Sequence, residues 1–230
     1  GTAVELHGVY GHEWVKMLYT KYSREYPDER LFKLGRAGYA GSQKYGLIPW
    51  SGDVGRSWSG LKAQTDIMLG MSMCGVPYMH SDAGGFAMGK RDSLLYIRWI
   101  QQAVFSPVFR PHGDPAAPPE PIFYHDSVQE IVKKSINLRY KMLPYNYTLA
   151  WETGETGIPM ALPMFVEFEN ESISDTLSSQ YMWGKNLLVV PVTDTLSKTI
   201  CVFLPQGVWY DFYDLTQLSG NKWIKREIQT

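Results

Sequence analysis

Residues 45–53 read YGLIPWSGD, and this stretch decides the fold. An apolar strand candidate at residues 45–50 runs directly into a serine, a glycine and a single carboxylate, Asp53. The following segment, residues 58–73, carries apolar and small residues at helical spacing, and Cys74-Gly75 closes it in the manner of a helix C-terminus. A strand that leads into a helix in this way is typical of parallel βα units.

The same alternation repeats on both sides of this unit. Further strand candidates lie at residues 31–34, 76–79 and 107–109, and further helices are predicted at residues 10–26, 92–105 and about 126–152, with a break at Pro144. Four strands with helices between them make half of an eight-stranded barrel. Residues 1–157 are therefore predicted to form an α/β domain, the C-terminal half of a (β/α)8 TIM-type barrel.

The character of the chain changes after Gly157. Short β-rich segments follow one another, with Pro and Gly turns and without helices between them, at residues 158–168, 187–192, 198–204 and 208–212. This is all-β behaviour. Residues 158–230 are predicted to form a second, sandwich-like β-domain, and we expect that domain to be incomplete.

Polar residues stand at the four successive strand ends: Arg36, Asp53, Asp82 and His112. In a closed βα barrel the chemistry lies at the C-terminal ends of the strands, so these side chains are expected to converge on one cavity. Structural roles compete with this interpretation. In the structural interpretation Asp53 is a loop or cap residue, Asp82 caps the turn at Gly84-Gly85, Arg36 is a structural ion-pair partner, and His112 forms a hydrogen bond within its loop.

Bulk properties exclude several classes of function. The formal net charge of −1 gives no electrostatic case for nucleic-acid binding, and no apolar run approaches the roughly 20 residues that span a bilayer. The two cysteines, Cys74 and Cys201, have neither disulfide-framework nor zinc-ligand spacing and are predicted to be buried. Asp66, Asp114 and His125 are interpreted as solvated or turn residues.

Several ordered motifs together resemble one known family. These are the runs at residues 36–45 (RAGYAGSQKY), 50–53 (WSGD), 82–86 (DAGGF) and 109–112 (FRPH), with LLVVPV and LPQGVWY later in the chain. They resemble glycoside hydrolase family 31, the α-glucosidase and α-xylosidase family. The resemblance implies the C-terminal part of the catalytic barrel followed by the start of the next β-domain.

The resemblance also implies an activity. The family hydrolyses terminal α-linked glucose or xylose of oligosaccharides as retaining exo-acting enzymes, without a metal or an organic cofactor. Asp53 is then the general acid/base. A general acid must keep its proton near neutral pH, and both burial and a neighbouring negative charge favour the protonated form of a carboxyl group.

Five further residues receive substrate-binding roles from the resemblance. Arg36 and His112 would donate hydrogen bonds to sugar hydroxyls, and Arg36 would help to place the acid/base. Asp82 would belong to the floor of the first subsite. Trp50 and Phe86 would form its aromatic wall, although aromatic residues are also common in ordinary cores.

The second carboxylate of a retaining pair is missing from this pattern. Retention needs two carboxyl groups about 5–5.5 Å apart, and the family nucleophile precedes the helix that starts here near Tyr10. Glu5, the sole carboxylate before that helix, matches the downstream edge of the nucleophile motif and is not assigned. We therefore expect the nucleophile in the N-terminal half of the same parent protein, and we expect the 230 residues alone to be inactive.

Two alternatives share the same residues. One is a non-catalytic carbohydrate-binding or regulatory module that retains the pocket aromatics. The other is an α-glucosyltransferase of the same family, which passes the sugar to another sugar instead of to water.

Overall fold

The computed structural model describes residues 1–169, 171 and 177–228. The elements before residue 157 are α1 (Ala3–Leu6), α2 (Tyr10–Glu25), β1 (Lys33–Leu34), β2 (Leu47–Ile48), α3 (Trp58–Met73), α4 (Ser93–Val104), α5 (Asp126–Lys141) and α6 (Leu143–Thr156), with 3-10 turns at His7–Val9, Ser42–Tyr45 and Pro121–Phe123. The predicted helices are confirmed, and the first two predicted strands are present in shortened form as β1 and β2.

The helix ends follow from local chemistry. Ser57 caps α3 by accepting a hydrogen bond from the Gly60 amide, and Asp92 caps α4 by accepting from two amides of its first turn. Pro144 lies in the first turn of α6, where a missing amide hydrogen costs nothing. The predicted long helix is therefore two helices, and the predicted break is confirmed.

Four extended segments lie side by side and run parallel. β1 pairs with β2 in the register Lys33↔Leu47. Single parallel bridges, Trp50↔His80 and Ala83↔Pro111, then attach the third and fourth segments in sequence order. The strand ends of the sequence prediction are thus neighbours in space, and the described residues form part of a barrel wall that does not close.

Residues 76–79 and 107–109 do not form the regular strands that the sequence predicted, so this prediction is wrong. Pairing in these segments is reduced to the single bridges further along the chain. Pro77, Pro107 and Pro111 lack the amide hydrogens that a continuous ladder needs, which accounts for the difference. Residue 45 likewise lies in a 3-10 turn, so the second strand begins only at Leu47.

The C-terminal part contains antiparallel sheets. Its elements are β3 (Ala161–Pro163), α7 (Met164–Glu167), β4 (Tyr181–Trp183), β5 (Leu187–Val189), β6 (Thr199–Leu204), β7 (Val208–Tyr210), β8 (Gln217–Ser219) and β9 (Lys222–Glu227). The sheets are β3-β4-β5, β6-β9 and β7-β8. The short helix α7 contradicts the expectation of a helix-free segment, and β4, β8 and β9 were not predicted.

One hydrophobic core crosses the predicted domain boundary. It is formed by Met68, Leu69, Val104, Met142, Leu149, Met160, Ala161, Tyr181, Trp183 and Val189. Hydrogen bonds reinforce it: the Tyr181 hydroxyl donates to the Phe105 carbonyl at 2.8 Å, and the Trp183 indole donates to Asn146 Oδ1 at 2.9 Å. The β3-β4-β5 sheet is therefore packed directly on α3, α4 and α6, and the division at residue 158 stays a prediction.

Two remaining sequence expectations concern the cysteines and the membrane. Cys74 and Cys201 are both exposed, so the prediction that they are buried is wrong. Cys74 lies at the C-terminal end of α3 and Cys201 in the first, less buried half of β6. Within the part of the chain that the structure describes, no helix has the length and apolar character required to cross a bilayer.

The bond from Tyr181 to Phe105 gives a stability prediction. Tyr181→Phe keeps the buried ring but leaves the Phe105 carbonyl without its donor, so we expect the free energy of unfolding to fall by about 1–2 kcal/mol. Urea denaturation measures this, with Tyr210→Phe as the control because Tyr210 is an exposed tyrosine of β7. Equal stability of the two variants would contradict the contribution assigned to the buried bond.

Candidate active site

Asp53 lies in a bend five residues after the end of β2. Gly52 has a φ of +82°, a left-handed conformation that glycine adopts without strain. A Cβ atom at Gly52 would lie 3.5 Å from the Arg36 guanidinium. That distance is an ordinary van der Waals contact, so the positive φ, and not lack of space beside Arg36, favours glycine at this position.

Arg36 and Asp53 meet across these two strand ends. Arg36 Nη1 donates to Asp53 Oδ2 at 3.3 Å. The two side chains are 61% and 46% exposed, so the ion pair contributes little to stability. Its consequence is orientation: the carboxylate is held at the rim of the strand ends while it remains accessible to a ligand.

Asp82 occupies the interior of the same region. Its side chain is fully buried, and its Oδ1 accepts a short hydrogen bond from Arg110 Nη2. Burial raises the pKa of Asp82, and the positive charges of Arg110 and His112 oppose that rise. The Asp82 side chain does not cap the following turn, because the Gly85 amide donates to the Asp82 backbone carbonyl and the side chain is paired with Arg110.

Arg110 connects three of the strand ends. Besides Asp82, its Nε donates to His80 Nε2 at 3.1 Å, and its guanidinium lies 5.3 Å from the centroid of the Trp50 ring. Since a guanidinium only donates, His80 Nε2 is unprotonated. Burial, and secondly the charge of Arg110, lower the pKa of His80 to about 4, so the ring is neutral at physiological pH.

The aromatic residues line the region without joining the core. Phe86 and His112 face each other, with ring centroids 5.4 Å apart and an interplanar angle of 31°. Trp50 and Phe86 are half-buried, and neither belongs to a described hydrophobic cluster. The core interpretation of these two residues is therefore disfavoured.

Four buried side-chain polar atoms of this region have no hydrogen-bond partner among the described residues: Trp50 Nε1, Ser51 Oγ, His80 Nδ1 and Asp82 Oδ2. Trp50 Nε1 is a donor, and Asp82 Oδ2 is an acceptor. A buried donor and a buried acceptor without partners are costly, and a polar ligand with hydroxyl groups could satisfy both.

The structure thus brings the predicted residues together in three contacts. These are Arg36 with Asp53, Asp82 with Trp50 through Arg110, and Phe86 with His112. The contacts are connected electrostatically, because the charges of Asp53 and His112 both act on Asp82.

Four participants were missed by the sequence interpretation: His80, Arg110, Arg56 and Asp114. Asp114 is not a simple solvated residue, since its Oδ1 lies 2.5 Å from Arg56 Nη2. No local sequence signal marks these pairs, because Arg56 and Asp114 are 58 positions apart and Arg110 and Asp82 are 28 apart. Asp66 is exposed, and His125 caps α5, in agreement with their assignment.

Other candidate groups do not join the site. Glu5 is exposed and forms a capping box with Thr2 at the start of α1. Within residues 1–169, 171 and 177–228, no group of three or more His, Cys, Asp or Glu side chains is placed to hold a metal ion.

Comparison with known proteins identifies two matching families of domains. Residues 1–149 match the glycosyl hydrolases family 31 TIM-barrel domain, and residues 157–230 match the glycosyl hydrolase family 31 C-terminal domain.

Individual relatives agree with these matches. An α-xylosidase and an α-glucosidase of Saccharolobus solfataricus are 37% and 38% identical over 86% and 85% of this chain, and over 28% and 29% of their own lengths. A dextranase structure from Flavobacterium johnsoniae, complexed with glucose, superposes with a TM-score of 0.94 at 34% identity, covering 99% of this chain and 29% of that one. The chain therefore spans less than a third of the length of these relatives.

The neutral state of His80 predicts a pH dependence of stability. The folded pKa of about 4 lies below the ordinary value of 6.5, so the unfolded chain binds the proton more tightly. Stability associated with His80 is present above about pH 6.5 and is lost as the pH falls toward 4, by about 3 kcal/mol.

Urea unfolding at several pH values between 7.5 and 4 measures this loss. His80→Gln keeps an acceptor for Arg110 but does not titrate, so its stability should fall less steeply over this range than that of the unsubstituted protein. Exposed His7 provides the control substitution, His7→Gln. An unchanged slope in His80→Gln would show that His80 is not held neutral by the fold.

Proposed function

The chain belongs to glycosyl hydrolase family 31, and from this we propose that the protein containing it is a retaining exo-α-glycosidase. Its substrates are oligosaccharides or other α-glycosides that end in α-linked glucose or xylose. The observation that carries the proposal is the accessible Asp53 carboxylate, oriented by Arg36 beside the buried Asp82 and its partner Arg110.

Asp53 is assigned the role of general acid/base. In the first step its carboxyl group protonates the oxygen of the leaving sugar, and in the second its carboxylate takes a proton from the attacking water. Arg36 orients this group, because its guanidinium binds one carboxylate oxygen and leaves the other available. The partial exposure of Asp53 allows a glycosidic oxygen to approach.

The neighbouring residues form the subsite for the terminal sugar. The unpartnered Asp82 Oδ2 and Trp50 Nε1 suit hydroxyl groups, which both donate and accept hydrogen bonds. His112 and Arg36 are exposed donors on the opposite strand ends. The half-buried Trp50 and Phe86 rings offer apolar faces to the C–H groups of a pyranose.

The nucleophile is assigned to another part of the parent protein. Glu5 caps a helix and Asp82 is paired with Arg110, so neither is free to attack an anomeric carbon. Large apolar side chains are exposed on α2 and around β1, where preceding barrel strands would pack: Tyr10, Trp14, Met17 and Leu18 in α2, Phe32 before β1, and Leu34 in β1. The N-terminal half of the parent protein is the proposed occupant of that surface.

The role of Asp53 leads to a mutational prediction. In the full-length protein, Asp53→Asn removes the proton donor and should lower kcat on a maltose-like substrate by about 10²–10⁴-fold. Asp66→Asn, an exposed aspartate of α3, is the matched control and should leave kcat unchanged. Release of glucose measures both. A fully active Asp53→Asn protein would rule out the acid/base assignment.

The placement of the nucleophile leads to a second prediction. Residues 1–230 alone should show no turnover of a chromogenic α-glucoside, and addition of the preceding part of the parent protein in trans should restore it. Turnover by the isolated chain that Asp53→Asn abolishes would contradict this division of the site. Sugar binding without turnover by the full-length protein would instead favour the binding-module alternative. Oligosaccharide products in the presence of acceptor sugars would indicate a transferase.

A further inference from the structure

Three loops leave the strand ends of the candidate active site. They are the Asp53 loop (residues 52–57), the Phe86 loop (residues 83–90) and the His112 loop (residues 111–117). Each carries a residue of the proposed function. Their relative positions therefore determine whether the acid/base and the sugar-binding residues can act on one substrate.

A single buried side chain joins all three loops. Arg56, in the Asp53 loop, has a side chain only 6% exposed. Its Nη2 donates to the Phe86 carbonyl at 2.7 Å and to Asp114 Oδ1 at 2.5 Å, and it lies 3.5 Å from the Ala117 carbonyl. Both hydrogens of that nitrogen are thus directed to the two neighbouring loops.

Main-chain hydrogen bonds continue the same connection. The Phe86 amide donates to the Val54 carbonyl at 2.8 Å, and the Arg56 amide donates to the Ala87 carbonyl at 3.0 Å. The Asp114 amide donates at 2.8 Å to the Phe86 carbonyl that Arg56 also binds. The Phe86 carbonyl is therefore the shared acceptor through which the His112 loop is tied to the Asp53 loop.

Two glycines permit this close approach. Gly85 and Gly89 both have positive φ, +81° and +72°. A Cβ atom at Gly85 would lie 2.7 Å from Arg56 Cγ, and one at Gly89 would lie 2.4 Å from the Arg56 carbonyl oxygen. The Phe86 loop thus lies directly on Arg56, in a conformation that other residues would strain.

We propose that Arg56 and Asp114 form a positioning clamp, which holds the acid/base Asp53 in register with Phe86 and His112. The clamp acts through the loops and does not touch the reacting atoms. This inference rests on the proposed function for its catalytic consequence, but the loop connection itself can be tested without turnover.

The chemistry of the pair fits a clamp. The planar guanidinium fixes the directions of the two Nη2 hydrogens that serve Phe86 and Asp114, whereas a lysine ammonium is a compact point charge with rotatable donors. Asp114 is 28% exposed, and its hydrogen bond to Arg56 is the first cause of a lowered pKa, so it carries its charge at physiological pH. Replacing Asp114 by a neutral residue would leave the buried Arg56 charge without its counterion, which is costly.

The first experiment measures amide hydrogen exchange in the full-length protein. In Arg56→Met and Asp114→Asn we expect faster exchange in peptides covering residues 83–90 and 111–117. Arg91→Met and Asp194→Asn are matched controls, because Arg91 binds one carbonyl elsewhere and Asp194 caps a turn in the C-terminal part. These controls should leave both peptides unchanged. Exchange that is equally slow in the clamp variants would overturn the proposal.

The second experiment separates positioning from simple loss of folded protein. Substrates with a poor leaving group need protonation by Asp53, whereas an activated aryl α-glucoside needs little. A displaced acid should therefore lower kcat/KM on a maltose-like substrate by about 10²-fold in Arg56→Lys, and much less on the activated one. Equal losses on both substrates, matching the loss of folded protein, would overturn the positioning role.

The two experiments also distinguish the clamp from the proposed function. If the unsubstituted full-length protein cleaves neither substrate, the proposed glycosidase function fails, and the exchange data alone decide whether Arg56 and Asp114 hold the loops. If the unsubstituted protein is active but exchange is unchanged in both clamp variants, the function stands and the clamp is rejected.

Discussion

The buried ion pair between Asp82 and Arg110 is the interaction on which the candidate site depends. A carboxylate with no exposed surface needs a counterion, and Arg110 supplies it from the adjacent strand end. The same guanidinium binds His80 and lies over Trp50, so one side chain sets the spacing of three neighbouring strand ends. Without it the floor of the site would carry an unpaired buried charge.

Arginines serve as connectors throughout this face of the molecule. Arg110 joins buried groups, Arg56 joins loops, and Arg36 meets Asp53 at the accessible rim. The side chains of Arg110 and Arg56 are less exposed than that of Arg36. This difference fits a rigid interior beneath a solvent-accessible acid/base. The helices of the barrel segment are held in place by the hydrophobic core that α3, α4 and α6 share with the β3-β4-β5 sheet.

The helices could be predicted from sequence because their signals are local. Residues 58–73 carry apolar residues at helical spacing, and the structure places α3 over the same residues, with Ser57 as its cap. The strand segments rich in proline could not be predicted equally well, because their pairing is reduced to isolated bridges. The six site residues were chosen from strand ends and from family resemblance, and the structure places four of them in two direct contacts and links Asp82 to Trp50 through Arg110.

The site residues that were not predicted from the sequence were missed for a different reason. Arg56 meets Asp114 across 58 positions of sequence, and Arg110 meets Asp82 across 28. Such pairs depend on which strands are adjacent, and no local pattern records that. Asp114 therefore resembled an ordinary turn residue before a proline, and only the packing of its loop on the neighbouring loop reveals the ion pair.

The most direct measurement is a crystal structure of the full-length protein with an unhydrolysed α-glycoside bound to Asp53→Asn. The account predicts that the residue 53 side chain lies at hydrogen-bond distance, about 2.6–3.2 Å, from the glycosidic oxygen, with hydroxyl groups of the terminal sugar on Asp82 and His112. A terminal sugar bound away from these strand ends, with residue 53 facing only solvent, would contradict it.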